Sequence, residues 1–569
     1  MIDAGQLFIL ITILLTALIA GWLLAPYITN VFALGPSRLD RFLGPVERRI
    51  YRLVGADQLH VMGWREYFFS ALIVNIFQMI LAFFVFVAQG WLPLNPQGFQ
   101  GLRWDLALMQ VISFATNTNL QHYNGEGVCT NGLPNCTGGV DPTIPGLSYL
   151  SQMTAVQFLQ FTSAATGIAV AVAMIRSFRA GAKNLGNFYV DFTRSLTRIL
   201  FPLCLISALV FVALGIPQTI SGYQTVTTIE GATQTILVGP VASLVSIMQL
   251  GTNGGGYYGA NSAYPFQNPN PATDVLEILL MLLIPTSLCF VYGRLIGKNR
   301  EARPILVGAY ALFAVDLLIA FVPDPLFGPG METRFGGFFS AFWTVVTTAV
   351  TTGSVNASLS GMHPLVILSA FNGMLIQATP GGKGVGVMYM VMFVVLTVFI
   401  VGLMSGRTPD YLGMKITARD VKLVMLAFLV HPIIILVPTV LAFATGDATR
   451  VGVGNNSVGF TQVFYEFTSA AANNGSDFLG AAAQNSYFFN ISTGIVMFLG
   501  RFAPIGLLLA LGGSMINRRR SLETGLKTDS LIFTLVLVGS IIVLVLLTFF
   551  PFLALGPIRE FFQGRTNGF

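Results

Sequence analysis

Charge is nearly absent from most of this chain. Asp, Glu, Lys and Arg make up 9% of its 569 residues, hydrophobic side chains make up 54%, and the mean hydropathy is +0.73. Soluble globular proteins carry roughly a quarter charged residues, so that class is excluded and an all-α polytopic membrane protein remains. Cysteine and histidine are scarce too, with four of each. No cysteine has zinc-ligand spacing and the histidines, at 60, 122, 363 and 431, are scattered, which leaves little room for a metal site built on them. Cys129 and Cys136 fall in a polar loop as either a disulfide or two free thiols, whereas Cys204 and Cys289 lie in apolar spans as packing residues.

Apolar stretches with at most two charges, near or above the roughly 18 residues that a spanning helix requires, recur at about 6–28, 68–90, 150–175, 199–216, 274–293, 304–322, 384–405, 421–444, 488–515 and 529–555. The first lacks a basic segment before it and is long, so it reads as an uncleaved span rather than a signal peptide. Most of the 30 Lys and Arg cluster in alternate connections, from Arg38 to Arg65, Arg176 to Arg198, Arg294 to Arg303, Arg407 to Lys422 and Arg518 to Lys527. Short basic loops stay cytoplasmic, which predicts both termini on the extracytoplasmic side of the membrane. The net charge of +6 is then a topology signal and gives no reason to expect nucleic acid.

Four polar runs interrupt this apolar pattern, all in the extracytoplasmic set: Ala115-Thr-Asn-Thr-Asn119, Gly251-Thr-Asn-Gly-Gly-Gly256, Thr351-Thr-Gly-Ser354 and Asn473-Asn-Gly-Ser476. Each follows a stretch too short to span a bilayer, at 105–114, 240–250, 338–350 and 461–471. Irregular backbone at membrane depth is tolerated where it is buried in protein or lines a water-filled cavity. Small residues there let carbonyls converge and replace the hydration shell of a monovalent cation. The short helices would direct the negative ends of their dipoles at that point. The runs themselves carry no carboxylate; Asp477, just after the fourth, is either a vestibule charge or a solvated residue. The pattern of span, short helix, polar run and span is a fourfold repeat with an extra helix at each end. Its boundaries are a first helix and basic loop at 1–65, pore repeats at 66–198, 199–303, 304–420 and 421–520, and a last helix at 521–569.

Three charges stand apart. Lys383 lies in Ala378-Thr-Pro-Gly-Gly-Lys-Gly-Val-Gly386, where Pro and Gly would interrupt a membrane helix. The spacing of a phosphate-binding loop is absent, so the lysine is either a gate element or a side chain that snorkels to an interface. Asp316 and Arg501 lie inside spans and are functional candidates by that fact, paired with each other or with the interrupted helix.

Thr116-Asn-Thr-Asn-Leu-Gln121, Gly251-Thr-Asn-Gly-Gly-Gly-Tyr257 with Ala260-Asn-Ser-Ala263, and Asn473-Asn-Gly-Ser476 resemble the potassium-binding A-subunit family, KdpA, of bacterial Kdp potassium-transporting ATPases. The likeness covers essentially the whole chain. It implies a potassium-channel-like fold of ten helices with four M1-P-M2 pore-loop repeats, in the inner membrane. It also implies a subunit that selects potassium from outside and passes it to a P-type ATPase subunit (KdpB-like), beside an accessory subunit (KdpC-like), a small single-span subunit (KdpF-like) and lipid. Carried over, it places carbonyl ligands at Thr116, Asn117 and Thr118, at Thr252, Asn253 and Gly254, at Thr351, Thr352 and Gly353, and at Asn473, Asn474 and Gly475. Gln121 matches a vestibule position, and Arg501 an arginine that braces the interrupted helix. Potassium is the ion expected here and no ATP is expected on this chain, which lacks an Asp-Lys-Thr-Gly phosphorylation motif and a large soluble domain. The alternative is a stand-alone, potential-driven channel or symporter of the Trk, Ktr or HKT type. A membrane-bound enzyme is disfavoured, since no acid–base pair or nucleophilic constellation lies in the spans.

Overall fold

The structure, a computed structural model, describes residues 3–33, 40–129, 139–140, 144–231, 233–322, 333–382, 384–520 and 527–563. Among them, ten helices are long and apolar enough to cross a membrane, as the apolar stretches predict. The first, α1 (Ala4–Phe32), starts at Asp3, whose carboxylate accepts from the Gln6 N–H. The basic segment that follows, expected as a loop, forms α2 (Asp40–Val54), because its apolar residues recur at helical spacing among the arginines. Glu47 of α2 is buried against Arg198, with Nη2···Oε2 at 2.6 Å. Burial alone would raise the Glu47 carboxyl, but Arg198 and Thr197 more than offset it and hold the group below its ordinary value.

Four repeats follow. The first consists of α3 (Trp64–Ala88), the short α4 (Trp104–Ala115) and α5 (Tyr149–Ser177). The second has α6 (Phe188–Ala213), α7 (Val241–Leu250) and α8 (Pro271–Ile296). In the third, α9 (Ala302–Phe321) and α10 (Gly336–Ala349) lead to a broken second span, α11 (Pro364–Ile376) and α12 (Val385–Ser405). The fourth is α13 (Ala418–Ala444), α14 (Ser457–Ala472) and α15 (Tyr487–Met515). The chain closes with α16 (Leu531–Leu555) and α17 (Pro557–Gln563). Because Pro380 and three glycines crowd the stretch between α11 and α12, the helix interrupts there as the sequence predicts. The part in front, α11, is by itself too short to register as a span.

The two end helices pack on the outside of the second and third repeats. Gly21 lets α1 close on α8, where an added methyl would stand 2.7 Å from Thr286 Cγ2. The other end helix, α16, lies against α9, with Leu537 opposite Gly308. In contrast α5 is enclosed almost throughout, and its Ala164, Ala165, Ala169, Ala171 and Ala173 are buried. Small side chains of this kind let helices approach closely in a membrane, where association relies on packing and on polar links between helices. One such link joins Asn75 Nδ2 of α3 to Thr166 Oγ1 of α5, at 3.1 Å.

Candidate functional site: four converging loops

The four short helices end at the four polar runs, and each run leaves its helix in the same way. Asn117, Thr252, Thr351 and Asn473 take left-handed backbone angles, with φ of 63°, 49°, 48° and 50°. Threonine is β-branched, so holding two of them there costs on the order of 1–3 kcal/mol each, a kind of strain that persists where surrounding structure dictates it. The next residue's N–H then turns back to its own helix: Thr118 to the Ser113 carbonyl (2.9 Å), Asn253 to Met248 (2.8 Å), Thr352 to Thr347 (2.7 Å) and Asn474 to Ser469 (2.8 Å). With the donors satisfied behind, the Thr118, Thr352 and Asn474 carbonyls face the space beside Gly254. These shared features set the register, in which Thr118, Asn253, Thr352 and Asn474 are equivalent. Asn119, Gly254, Gly353 and Gly475 form the next level, and Thr116 matches Gly251, Val350 and Ala472 at the helix ends.

The carbonyls converge. A Cβ built on Gly254 would lie 2.5 Å from the Thr118 oxygen, 2.8 Å from that of Asn474 and 2.9 Å from that of Thr352, so oxygens from three repeats border one small space beside the fourth. The asparagines brace this arrangement from behind. Asn117 Nδ2 donates to the Thr252 carbonyl at 2.7 Å, Asn474 Nδ2 to Thr347 at 2.9 Å and Asn473 Nδ2 to Thr118 Oγ1 at 3.0 Å, while Ser354 Oγ donates to Gln249 Oε1 at 3.0 Å. Every neighbouring pair of repeats is thereby tied together. The Thr252 and Thr352 hydroxyls are buried with no protein partner, which suits a lumen that holds ions or water.

Outside the loops lies a cavity of about 480 Å³ lined by Gln121, Asn261, Gly353, Gly475 and Asp477. Gln121 Nε2 donates to the Gly256 carbonyl at 3.0 Å, and its Oε1 is left without a partner. Burial and the neighbouring Glu466 carboxylate push the Asp477 carboxyl well above its usual range. Glu126, buried behind Gly259 of the cavity lining, is pushed up to about 7 by burial, partly countered by the Gly259 N–H, from which its carboxylate accepts at 2.7 Å.

Beneath the loops runs the interruption between α11 and α12. Gly381 N–H donates to the Ala349 carbonyl at 3.0 Å, capping α10. A Cβ on Gly382 would come within 2.7 Å of the Thr252 hydroxyl and 2.9 Å of that of Thr351. The break therefore closes the inner end of the converging loops. Lys383, Cys136 and the side chain of Cys129 lie outside the described residues. Arg501 and Asp316 do not meet. Arg501 Nη2 donates to the Ser163 carbonyl of α5 at 2.9 Å, and Ser163 Oγ in turn donates to Asn117 Oδ1 at 2.9 Å. Asp316 lies between α9 and α11, beside Asn372, with its carbonyl accepting from Ser369 at 2.8 Å. Sequence reasoning did not find Ser163, Gly382, Glu126 or the His122–Glu466 contact described below. A carboxylate inside an otherwise uncharged short helix was the available signal for Glu466.

Short helices ending on converging carbonyls, framed by paired spans, define a multi-pass membrane transporter of the pore-loop class. The chain belongs to the KdpA family, described as the potassium-transporting ATPase A subunit, whose profile matches residues 10–562, and it is a subunit of a potassium transporter. The fold is also similar to that of the potassium transporter TrkH from Vibrio parahaemolyticus. The TM-score is 0.51 at 16% identity, over 87% of this chain and 97% of that one.

Proposed function

We propose that this chain is the potassium-selective binding and translocation subunit of an ATP-driven uptake pump. It takes K+ from the extracytoplasmic cavity through rings of backbone carbonyls and passes it to a P-type ATPase subunit, which hydrolyses ATP. The observation that carries this reading is the convergence of the Thr118, Thr352 and Asn474 carbonyls within 2.9 Å of a point beside Gly254. Neutral dipoles at short range can replace the hydration of a bare monovalent cation without the tight binding that full charges give. The rings are Asn117, Thr252, Thr351 and Asn473; Thr118, Asn253, Thr352 and Asn474; and Asn119, Gly254, Gly353 and Gly475, with Thr116 at the inner mouth. Gln121 and Asp477 line the approach, Gly382 and the neighbouring Lys383 form the inner gate, and Arg501 steadies the first loop through Ser163.

In this reading the basic segments are cytoplasmic, both termini lie outside, and the chain sits in the inner membrane among lipid with KdpB-like, KdpC-like and KdpF-like partners. The test is potassium-dependent ATP hydrolysis by the chain copurified with the membrane proteins of its neighbouring genes. Hydrolysis stimulated by K+ over Na+, with the preference lost in Gly254→Asp, is the expected outcome. Potential-driven uptake by the isolated chain in liposomes, with no ATPase copurifying, would overturn the pump and leave a self-sufficient transporter.

A further inference from the structure

Behind the wall of the outer cavity, His122 from the loop after the first run meets Glu466 of α14. The imidazole and the carboxylate are 0% exposed, with Nε2···Oε1 at 2.9 Å. Asp477 completes the group, and one ligand atom from each of the three residues lies within 4.8 Å of the others.

The hydrogen bonds around the ring fix its tautomer. Asn490 Nδ2 donates to Asp105 Oδ2 at 2.8 Å and to the Gln484 carbonyl at 3.2 Å, both acceptors, so the Asn490 amide oxygen faces His122 Nδ1 at 2.8 Å. That oxygen accepts only, which places a proton on Nδ1. The Nε2 lone pair of the neutral ring then points straight at a carboxylate oxygen. Two electron-rich atoms at that distance share a proton, and a metal ion takes that proton's place on Nε2 once the carboxylate oxygen swings aside. Glu466 Oε2 and Asp477 Oδ2 are also buried without hydrogen-bond partners. The Asp105–Asn490–His122 chain has the form of the outer partners that orient a metal-ligating histidine.

We propose that His122, Glu466 and Asp477 form a divalent metal site of the zinc class, and that its occupation weakens potassium capture. One nitrogen and two carboxylate oxygens suit Zn2+ or Co2+. Small side-chain shifts bring the three atoms to the roughly 2.0–2.2 Å that such ions take. Asp477 borders the cavity, so a hydrated ion reaches the site from outside and keeps a water there. As the ion enters, the proton shared by His122 and Glu466 and any proton held by Asp477 leave to cavity water, and the donors bind unprotonated. The bound ion takes up the Asp477 carboxylate, two residues beyond the Gly475 carbonyl, so that it no longer attracts the incoming K+. This second effect rests on the function proposed above; metal binding does not.

The test uses the purified complex, stripped with chelator, in a His60→Ala background because His60 pairs with Glu66 at 2.6 Å elsewhere on the molecule. Equilibrium dialysis with zinc is expected to give saturable binding of a single ion per chain, weakened at least about tenfold by Asp477→Asn and by His122→Asn. Co2+ is expected to give an absorption spectrum with nitrogen and oxygen ligation, lost in the same variants. Zinc should raise half-saturating K+ for hydrolysis about threefold or more in the parent and not in Asp477→Asn. Asp477 reaches the cavity surface, so its variant serves if His122→Asn fails to assemble. No saturable binding, or binding unchanged in both variants, overturns the site. Specific binding with no zinc effect on K+ half-saturation overturns the effect on capture. Zinc binding intact in a complex with no potassium-dependent hydrolysis would overturn the functional reading while supporting the site.

Discussion

The Thr118 carbonyl oxygen stands 2.5 Å from the position where a Cβ of Gly254 would lie. Thr118 belongs to the first repeat and Gly254 to the second, so the missing side chain of one keeps open the space that the backbone of the other faces. Gly254 does not have a positive φ, and its need for glycine is steric rather than conformational. Gly254→Ala should therefore leave the chain folded while displacing the carbonyls. Half-saturating K+ for ATP hydrolysis should rise at least about tenfold, equivalent to about 1.4 kcal/mol, with Na+ affected less. Potassium titrations of the purified complex, with sodium as competitor, measure this. Unchanged K+ affinity would show that the oxygens at Gly254 do not hold the ion.

Asn117 holds the first loop to the second through its amide and receives Ser163 Oγ on its oxygen. In Asn117→Ala these bonds are lost, each worth about 1 kcal/mol. Asn117→Asp is nearly isosteric but sets a carboxylate against the Thr252 carbonyl, so it should impair potassium selectivity more than alanine does. The order Asn, Ala, Asp in K+ over Na+ preference is the checkable outcome; equal effects of the two variants would refute a bracing role for the amide.

Arg501 reaches the same loop at second hand, through the Ser163 carbonyl. Residues that share a network couple by about 0.5–3 kcal/mol in double-mutant cycles. Arg501→Gln and Asn117→Ala should accordingly be non-additive in half-saturating K+. Strict additivity would assign Arg501 to another part of the protein.

Glu126 offers a pH test. Its carboxyl is raised from 4.5 to about 7 by burial, so the folded protein holds that proton more tightly than the unfolded chain. Its contribution to stability is fully present below about pH 4.5 and is lost as pH rises through about 7, by roughly 3 kcal/mol at most. In Glu126→Gln this fall should disappear, flattening the melting temperature of the complex between those pH values. A variant with the same pH slope as the parent would locate the titration elsewhere.

Much of this architecture is legible in the sequence because the bilayer imposes simple rules. Ten long apolar stretches and alternating basic loops fix the spans, and the Thr, Asn and Gly runs stand out because polar backbone at that depth requires a reason. The register of the runs is less legible. Thr116 reads naturally as the first member of its set, but only the left-handed angle at Asn117 and the turned-back N–H of Thr118 align the first loop with Thr252, Thr351 and Asn473. Contacts between distant residues, such as His122 with Glu466 or Ser163 with Arg501, leave no periodic trace in the sequence. A helix as short as α11, continuing across a Pro-Gly break, falls below the length at which hydropathy marks a span.

Gly382 sits where that break meets the loops, and the clearest separation of binding from transfer should be found there. A methyl on it would collide with the Val350 carbonyl at 2.0 Å and crowd the hydroxyls of Thr252 and Thr351. All three belong to the inner end of the converging loops, whereas the Thr118 and Asn474 carbonyls beside Gly254 lie farther along the runs toward the cavity. Gly382→Ala should thus obstruct the exit of the ion more than its capture. Maximal potassium-dependent hydrolysis should fall about tenfold or more, as expected when a conformational or release step limits turnover, with half-saturating K+ changed much less. Binding of labelled potassium to the complex without ATP provides the control. If binding falls as far as turnover, Gly382 supports the filter itself; if neither changes, the break yields freely and cannot be the inner gate.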